Sequence, residues 1–242
     1  MRWHACDLAR LTWLLPLKDL NRPLKTPHVN RMLLATNIII FLVYWLSVRN
    51  IFFSEKIAIQ IEDKFTMVPR QVVHGERLYT LVTSMFMHAD WWHLLGNMLF
   101  LYIFGDNVED IFGHGGYLAF YITCGLAAAF THILSLYLGL TYPADFNVGV
   151  LGASGAISGV LGAYFVLFPR AKILTWVAYF ILPIPAVLFL GFWFLLQWLF
   201  GLFEVGSQIA YWAHIGGFIM GMILAASFGL ERKRKRDAKL RL

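Results

Sequence analysis

G-V-L-G-A-S-G-A-I-S-G-V-L-G-A-Y, from Gly149 to Tyr164, is apolar apart from two serines and dense in glycine and alanine. Gly155, Gly159 and Gly162 recur at i, i+4 and i+7. A helix here presents one face of almost bare backbone on which a second helix can lie closely, the usual packing device of membrane helices. Ser154 stands near the start of that helix. Gly152, Ala153 and Gly155 leave its hydroxyl and the adjacent amides uncovered, and free N–H groups at a helix N-terminus favour negative charge. A lone serine on such a face is ordinarily packing, so its meaning depends on what the rest of the chain brings to it.

Working outward, composition places that helix in a bilayer. The 242 residues are 59% hydrophobic and 14% charged, too apolar for one soluble domain. The net charge of +6 gathers at the two ends of the chain, which suits an anionic membrane surface and argues against nucleic acid. Cys6 and Cys124 form no disulfide framework and no metal-ligand spacing. Six apolar stretches are expected to span: Met32 to Phe53, Trp91 to Phe112, Gly116 to Leu140, Gly149 to Phe168, Ala186 to Phe203 and Ile209 to Phe228. Between the first two, Ser54 to Asp90 reads as an amphipathic loop half-sunk at the interface. An acidic turn with Asp106, Glu109 and Asp110 should join the second and third spans. Ile173 to Leu182, too short to span and followed by Pro183 and Pro185, reads as interfacial.

The expected architecture is an all-α integral membrane protein: a cytoplasmic segment over 1–30, a six-helix membrane domain over 31–228 and a basic cytoplasmic tail over 229–242. Fifteen of the twenty lysines and arginines then fall on one side and five on the other, which places both termini in the cytoplasm of a plasma or inner membrane.

Polar groups within spans are costly and point to function. His93 and Asn97, spaced i and i+4, share a helix face near the outer start of the second span. His214 lies in A-H-I-G-G-F-I-M-G, where Gly217 and Gly221 give a bare face matching that of the fourth span. Packed together, the two faces bring His214 beside Ser154, about five residues into each helix. A serine hydroxyl is a weak nucleophile until a base takes its proton, and the developing oxyanion needs preset donors, which His93, Asn97 and the backbone at Ala153 and Ser154 can supply.

With those residues in place the chain resembles the rhomboid intramembrane serine proteases, over roughly Pro16 to Phe228: H-x-x-x-N in the second span, G-A-S-G in the fourth, A-H-x-x-G in the sixth, and Glu109. The resemblance implies a rhomboid-like six-transmembrane-helix bundle with Ser154 as nucleophile and His214 as base, in a dyad without a carboxylate. His93, Asn97 and Ala153 would form the oxyanion hole, with Gly152, Gly155, Gly217 and Glu109 in support. It implies no metal and no cofactor, and partners that are transmembrane protein substrates within the lipid bilayer. The fifth span and the loop near Phe203 to Gln208 resemble the family's lateral gate and cap. Ser158 stands where some members carry an aromatic that stacks on the base, so another group must orient His214: Tyr211, Trp212 or Ser158 itself. The first loop lacks the family's Trp-Arg pair, with Arg77 as the nearest counterpart. An inactive relative would lack Ser154 or His214, and both are here.

Other chemistries fit less well. H-E-x-x-H is absent, no two intramembrane aspartates pair, and Ala156 breaks G-x-S-x-G. A transporter or channel would also place polar groups at depth, but the chain has no two-fold internal repeat. A non-catalytic membrane scaffold would need none of these four residues together.

Overall fold

The computed structural model describes residues 14–51, 53–141, 144–203 and 209–239. Strand β1 (Leu14–Asp19) leads into helix α1 (His28–Val48), three short helices α2 (Glu55–Phe65), α3 (Pro69–Val73) and α4 (Thr80–Thr83), and the long helices α5 (Trp91–Phe112) and α6 (His114–Tyr137). Helix α7 (Ser154–Leu167) follows, then strands β2 (Lys172–Val177) and β3 (Phe180–Pro185), helix α8 (Ala186–Phe203), helix α9 (Tyr211–Leu224), a π turn and helix α10 (Leu230–Lys239). The fold is mostly helical, as expected.

Four helical rods are long and apolar enough to cross a membrane: His28–Val48, His114–Tyr137, Ala186–Phe203 and the continuous Tyr211–Ala238. Helix α7 is equally apolar but only 14 residues long, and α5 carries Asp106, Glu109 and Asp110 in its last two turns.

The glycine faces meet as their spacing predicts. Among the described elements α7 and α9 pack more extensively than any other pair. A Cβ on Gly217 would collide with the Gly155 carbonyl oxygen, one on Gly221 with that of Gly159, and one on Gly162 with that of Phe218. Between apolar helices in a bilayer there is little hydrophobic drive, so close backbone approach and dispersion hold the pair.

Several expected boundaries shift for physical reasons. Helix α1 starts at His28, four residues before the apolar run, because the Glu109 carboxylate accepts the Val29 and Asn30 N–H groups at 2.9 and 2.7 Å and so caps polar residues into the first turn. The acidic residues expected in a turn lie on α5 itself; Gly113 alone, at φ 73°, separates α5 from α6. Gly149 to Ala153 precede α7 instead of forming its first turn, with Val150 bridged to Met67. The loop after α1 is helical in α2, α3 and α4, and Arg77 there donates to the Asp63 carbonyl. The expected loop Glu204 to Gln208 lies outside the described residues, as does Cys6.

The largest departure from an all-helical reading is a three-stranded antiparallel sheet in the order β1-β2-β3. Ile173 to Leu182, expected as an interfacial stretch, is its hairpin. The central strand K-I-L-T-W-V has three β-branched residues and no proline, whereas the prolines fall on the edge strands: Pro16 where the β1 register shifts, and Pro183 and Pro185 on β3.

One end of the bundle gathers this sheet, the α5–α6 junction and α10. Asn107 Nδ2 and Tyr164 Oη donate to Asp19 Oδ2 at 2.8 and 2.7 Å, and Arg236 Nη1 bonds Asp110 Oδ2 at 2.8 Å. Both ends of the described chain therefore lie on the same side of the bundle.

Two outcomes follow from this packing. Gly217→Leu should lower thermal stability by about 1–3 kcal/mol or more, since the added side chain meets backbone that cannot step aside; an unchanged melting temperature would contradict the α7–α9 contact. Burial pushes the Asp19 carboxyl up to about 7. The folded chain thus keeps a proton that an unfolded Asp has lost above about pH 4, so this stabilisation is complete below that pH and disappears as pH rises through about 7. The melting temperature of wild type relative to Asp19→Asn should accordingly fall between pH 5 and pH 8, and a pH-independent difference would refute the assignment.

Candidate active site

Helices α5, α7 and α9 all begin at the bundle end opposite the sheet, and each contributes from its first two turns. Asp90 is the N-cap of α5, its carboxylate accepting the His93 N–H at 2.8 Å. This fixes His93 as the third residue of the helix. Asn97, one turn on, is buried, and its Nδ2 donates to the His93 carbonyl at 3.0 Å. One of its two amide hydrogens is thereby used within the helix and the second is not needed for that bond.

Ala153 is the fully buried N-cap of α7 and Ser154 its first residue. The expected position about five residues into the helix is shortened, because Gly152 at φ 125° takes a left-handed conformation that ends the extended approach just before the helix begins. A Cβ at Gly152 would stand 2.7 Å from His93 Nε2. Glycine there is what lets the imidazole of α5 reach the start of α7. The first-turn amides at Ser154 and beyond have no preceding turn to bond.

His214 is the fourth residue of α9, and its Nε2 lies 2.8 Å from Ser154 Oγ. The α7–α9 backbone contact holds this distance, since Gly155 follows Ser154 directly and Gly217 lies one turn after His214. Ser154, His214, His93, Gly152 and Ala153 are thus brought together, with Asn97 one turn beyond His93 on α5. Glu109 is not among them: it lies sixteen residues further along α5 than His93, about 24 Å of helix, where it caps α1 and meets His114 Nδ1 at 2.5 Å.

Of the groups expected to orient His214, Ser158 and Trp212 bond elsewhere, whereas Tyr211 packs against its ring. Ser158 Oγ donates to the Ser154 carbonyl at 2.7 Å. Trp212 Nε1 donates to the carbonyls of Gly201 and Leu140 at 3.2 and 3.3 Å. Tyr211 meets the imidazole edge-on, 6.5 Å between ring centres, and Trp193 lies 6.1 Å away. The polar contact at Nδ1 is instead Gln197 Oε1 on α8, at 2.7 Å.

Gln197 and His88 are the residues that motif spacing missed. Gln197 carries the only side-chain amide in the otherwise apolar Ala186–Phe203, a signal available to anyone asking why a polar group sits in a span. His88, buried, packs edge-on against His93 at 5.2 Å; it lies outside the periodic segments and only its place in the fold reveals it. Among the described residues no group of three or more His, Cys, Asp or Glu side chains could hold a metal ion.

A bundle with apolar rods of membrane length, with a part-buried serine–histidine pair at one end, is that of a helical multi-pass integral membrane protein. Residues 75–230 match the family model described as Rhomboid domain. The chain is 32% identical over 181 residues to mitochondrial Rhomboid protein 1 of Saccharomyces cerevisiae, covering 72% of this chain and 49% of that one. It is 33% identical over 167 residues to mitochondrial RHOMBOID-like protein 12 of Arabidopsis thaliana, covering 65% and 48%. It is also 34% identical over 163 residues to Rhomboid protease GluP of Bacillus subtilis, covering 66% and 28%. The chain spans about half the length, or less, of these curated relatives. It belongs to the rhomboid family.

Proposed function

We propose that the chain is an intramembrane serine endopeptidase that cleaves transmembrane segments of single-span membrane proteins near the outer membrane face, with Ser154 and His214 as its dyad. The observation that carries this reading is the 2.8 Å contact between Ser154 Oγ and His214 Nε2, made at the N-terminus of an apolar helix with His93 alongside.

In this mechanism His214 Nε2 takes the hydroxyl proton as Ser154 Oγ bonds to the scissile carbonyl carbon. The oxyanion is held by His93, the free hydrogen of the Asn97 amide and the Ser154 N–H. The peptide C–N bond then breaks as His214 returns the proton to the leaving amine, and water releases the acyl group by the same route in reverse. Helices α1, α5, α6, α7, α8 and α9 would be the six spans, and the fifteen-to-five charge asymmetry supports both termini on the cytoplasmic side of a plasma or inner membrane.

A substrate helix hides its amides in its own backbone bonds and must unwind before a carbonyl can reach Ser154. Cleavage should therefore fall near the outer end of the substrate span, after a small residue that clears Gly152 and Ala153, and faster with Pro or Gly just below the cut. With the full chain reconstituted in liposomes beside a single-span substrate, Ser154→Ala should fold and insert yet cleave at background rate. Wild-type cleavage by that variant would refute the nucleophile, and cuts confined to soluble loops or to the cytoplasmic end would refute the site's depth.

A further inference from the structure

Helix α8 is the most apolar of the long helices, and its 18 residues hold one side-chain amide. Four of its residues are buried: Ala186, Phe189 and Leu190 in the first turns and Gln197 two turns on. Around Gln197 the helix faces outward, with Leu195, Trp198, Leu199 and Leu202 exposed. Gln197 itself is 4% exposed, turned inward to His214. Burying an amide in such a helix is unfavourable unless its polar atoms are bonded, and the atom that receives a bond is Oε1, 2.7 Å from His214 Nδ1.

An amide carbonyl only accepts, so in this arrangement the imidazole proton is on Nδ1. The lone pair of Nε2 then points to Ser154 Oγ, the tautomer that can take the hydroxyl proton. Turned over, the same amide would donate to Nδ1 and force the proton onto Nε2, a ring that accepts nothing from serine. We propose that Gln197 is a positioning residue for the reaction: by accepting the Nδ1 hydrogen it sets the tautomer and plane of His214, and α8 thereby completes a site whose other parts lie on α5, α7 and α9. This rests on the reading of Ser154 and His214 as the reacting pair.

Packing and positioning make opposite demands on the substituent, which makes the proposal testable in the full chain. Leucine fills a similar volume in an apolar helix, whereas glutamate puts a carboxyl there. If Gln197 only packs, Gln197→Leu is harmless and Gln197→Glu is damaging. If it positions the base, Gln197→Leu lowers kcat by roughly 10²-fold, the lower end of what general-base catalysis supplies, with KM and melting temperature unchanged, while Gln197→Glu, which still accepts, stays within roughly tenfold of wild type. Gln197→Leu at wild-type kcat, or both variants losing activity together with stability, overturns the proposal. Nitrogen-15 histidine NMR of the full chain gives a readout independent of turnover: His214, assigned by its loss in His214→Ala, should show a protonated Nδ1 in wild type and lose that preference in Gln197→Leu. A protonated Nε2 in wild type overturns it. Ser154→Ala run beside these separates the two readings: if it still cleaves, the dyad itself is wrong, and if it is silent while Gln197→Leu keeps wild-type kcat, only the role of Gln197 falls.

Discussion

The contact between the bare faces of α7 and α9 sets everything else. Gly217 approaches the Gly155 carbonyl and Gly221 that of Gly159 so closely that no side chain fits at either position. In a bilayer, where apolar side chains are as well solvated by lipid as by protein, two helices gain little from merely touching; they gain from approaching until backbone meets backbone. That approach brings His214 within reach of Ser154, and the 2.8 Å contact follows from the helix crossing more than from either side chain.

The far end of the bundle is held by a different kind of bond. There the chain spends its charges: Glu109 caps α1, Asp110 takes Arg236 and the Leu24 N–H, and Asp19 joins β1 to Asn107 and Tyr164. Carboxylates at this end anchor helix ends and a small sheet, while the described bonds of Ser154, His214 and Asn97 at the opposite end go to other neutral groups, and the carboxylate nearest them in the chain, Asp90, caps α5. The two ends thus divide the labour between fixing the bundle and presenting a neutral polar pocket.

Glycine period, apolar length and the polar residues set in apolar runs were legible, because each rests on local geometry: α5 was read to both of its boundaries, and His93, Asn97, Ser154 and His214 stood out by spacing. The sheet was not, because β1 pairs with a strand more than 150 residues away and the hairpin turns at Ala178 in a left-handed conformation, without the glycine or asparagine that would mark it. The start of α1 was missed because its cap arrives from Glu109 on another helix. Gln197 was visible as a lone polar residue, yet which neighbour it serves depends on how α8 lies on α9, which no period along the chain records.

The most direct measurement of the central claim is covalent: treat the reconstituted full chain with a serine-directed fluorophosphonate and locate the adduct by peptide mass spectrometry. The account predicts a single adduct, on Ser154, that disappears in His214→Ala. An adduct on another hydroxyl, or one on Ser154 that forms equally well without His214, would contradict it.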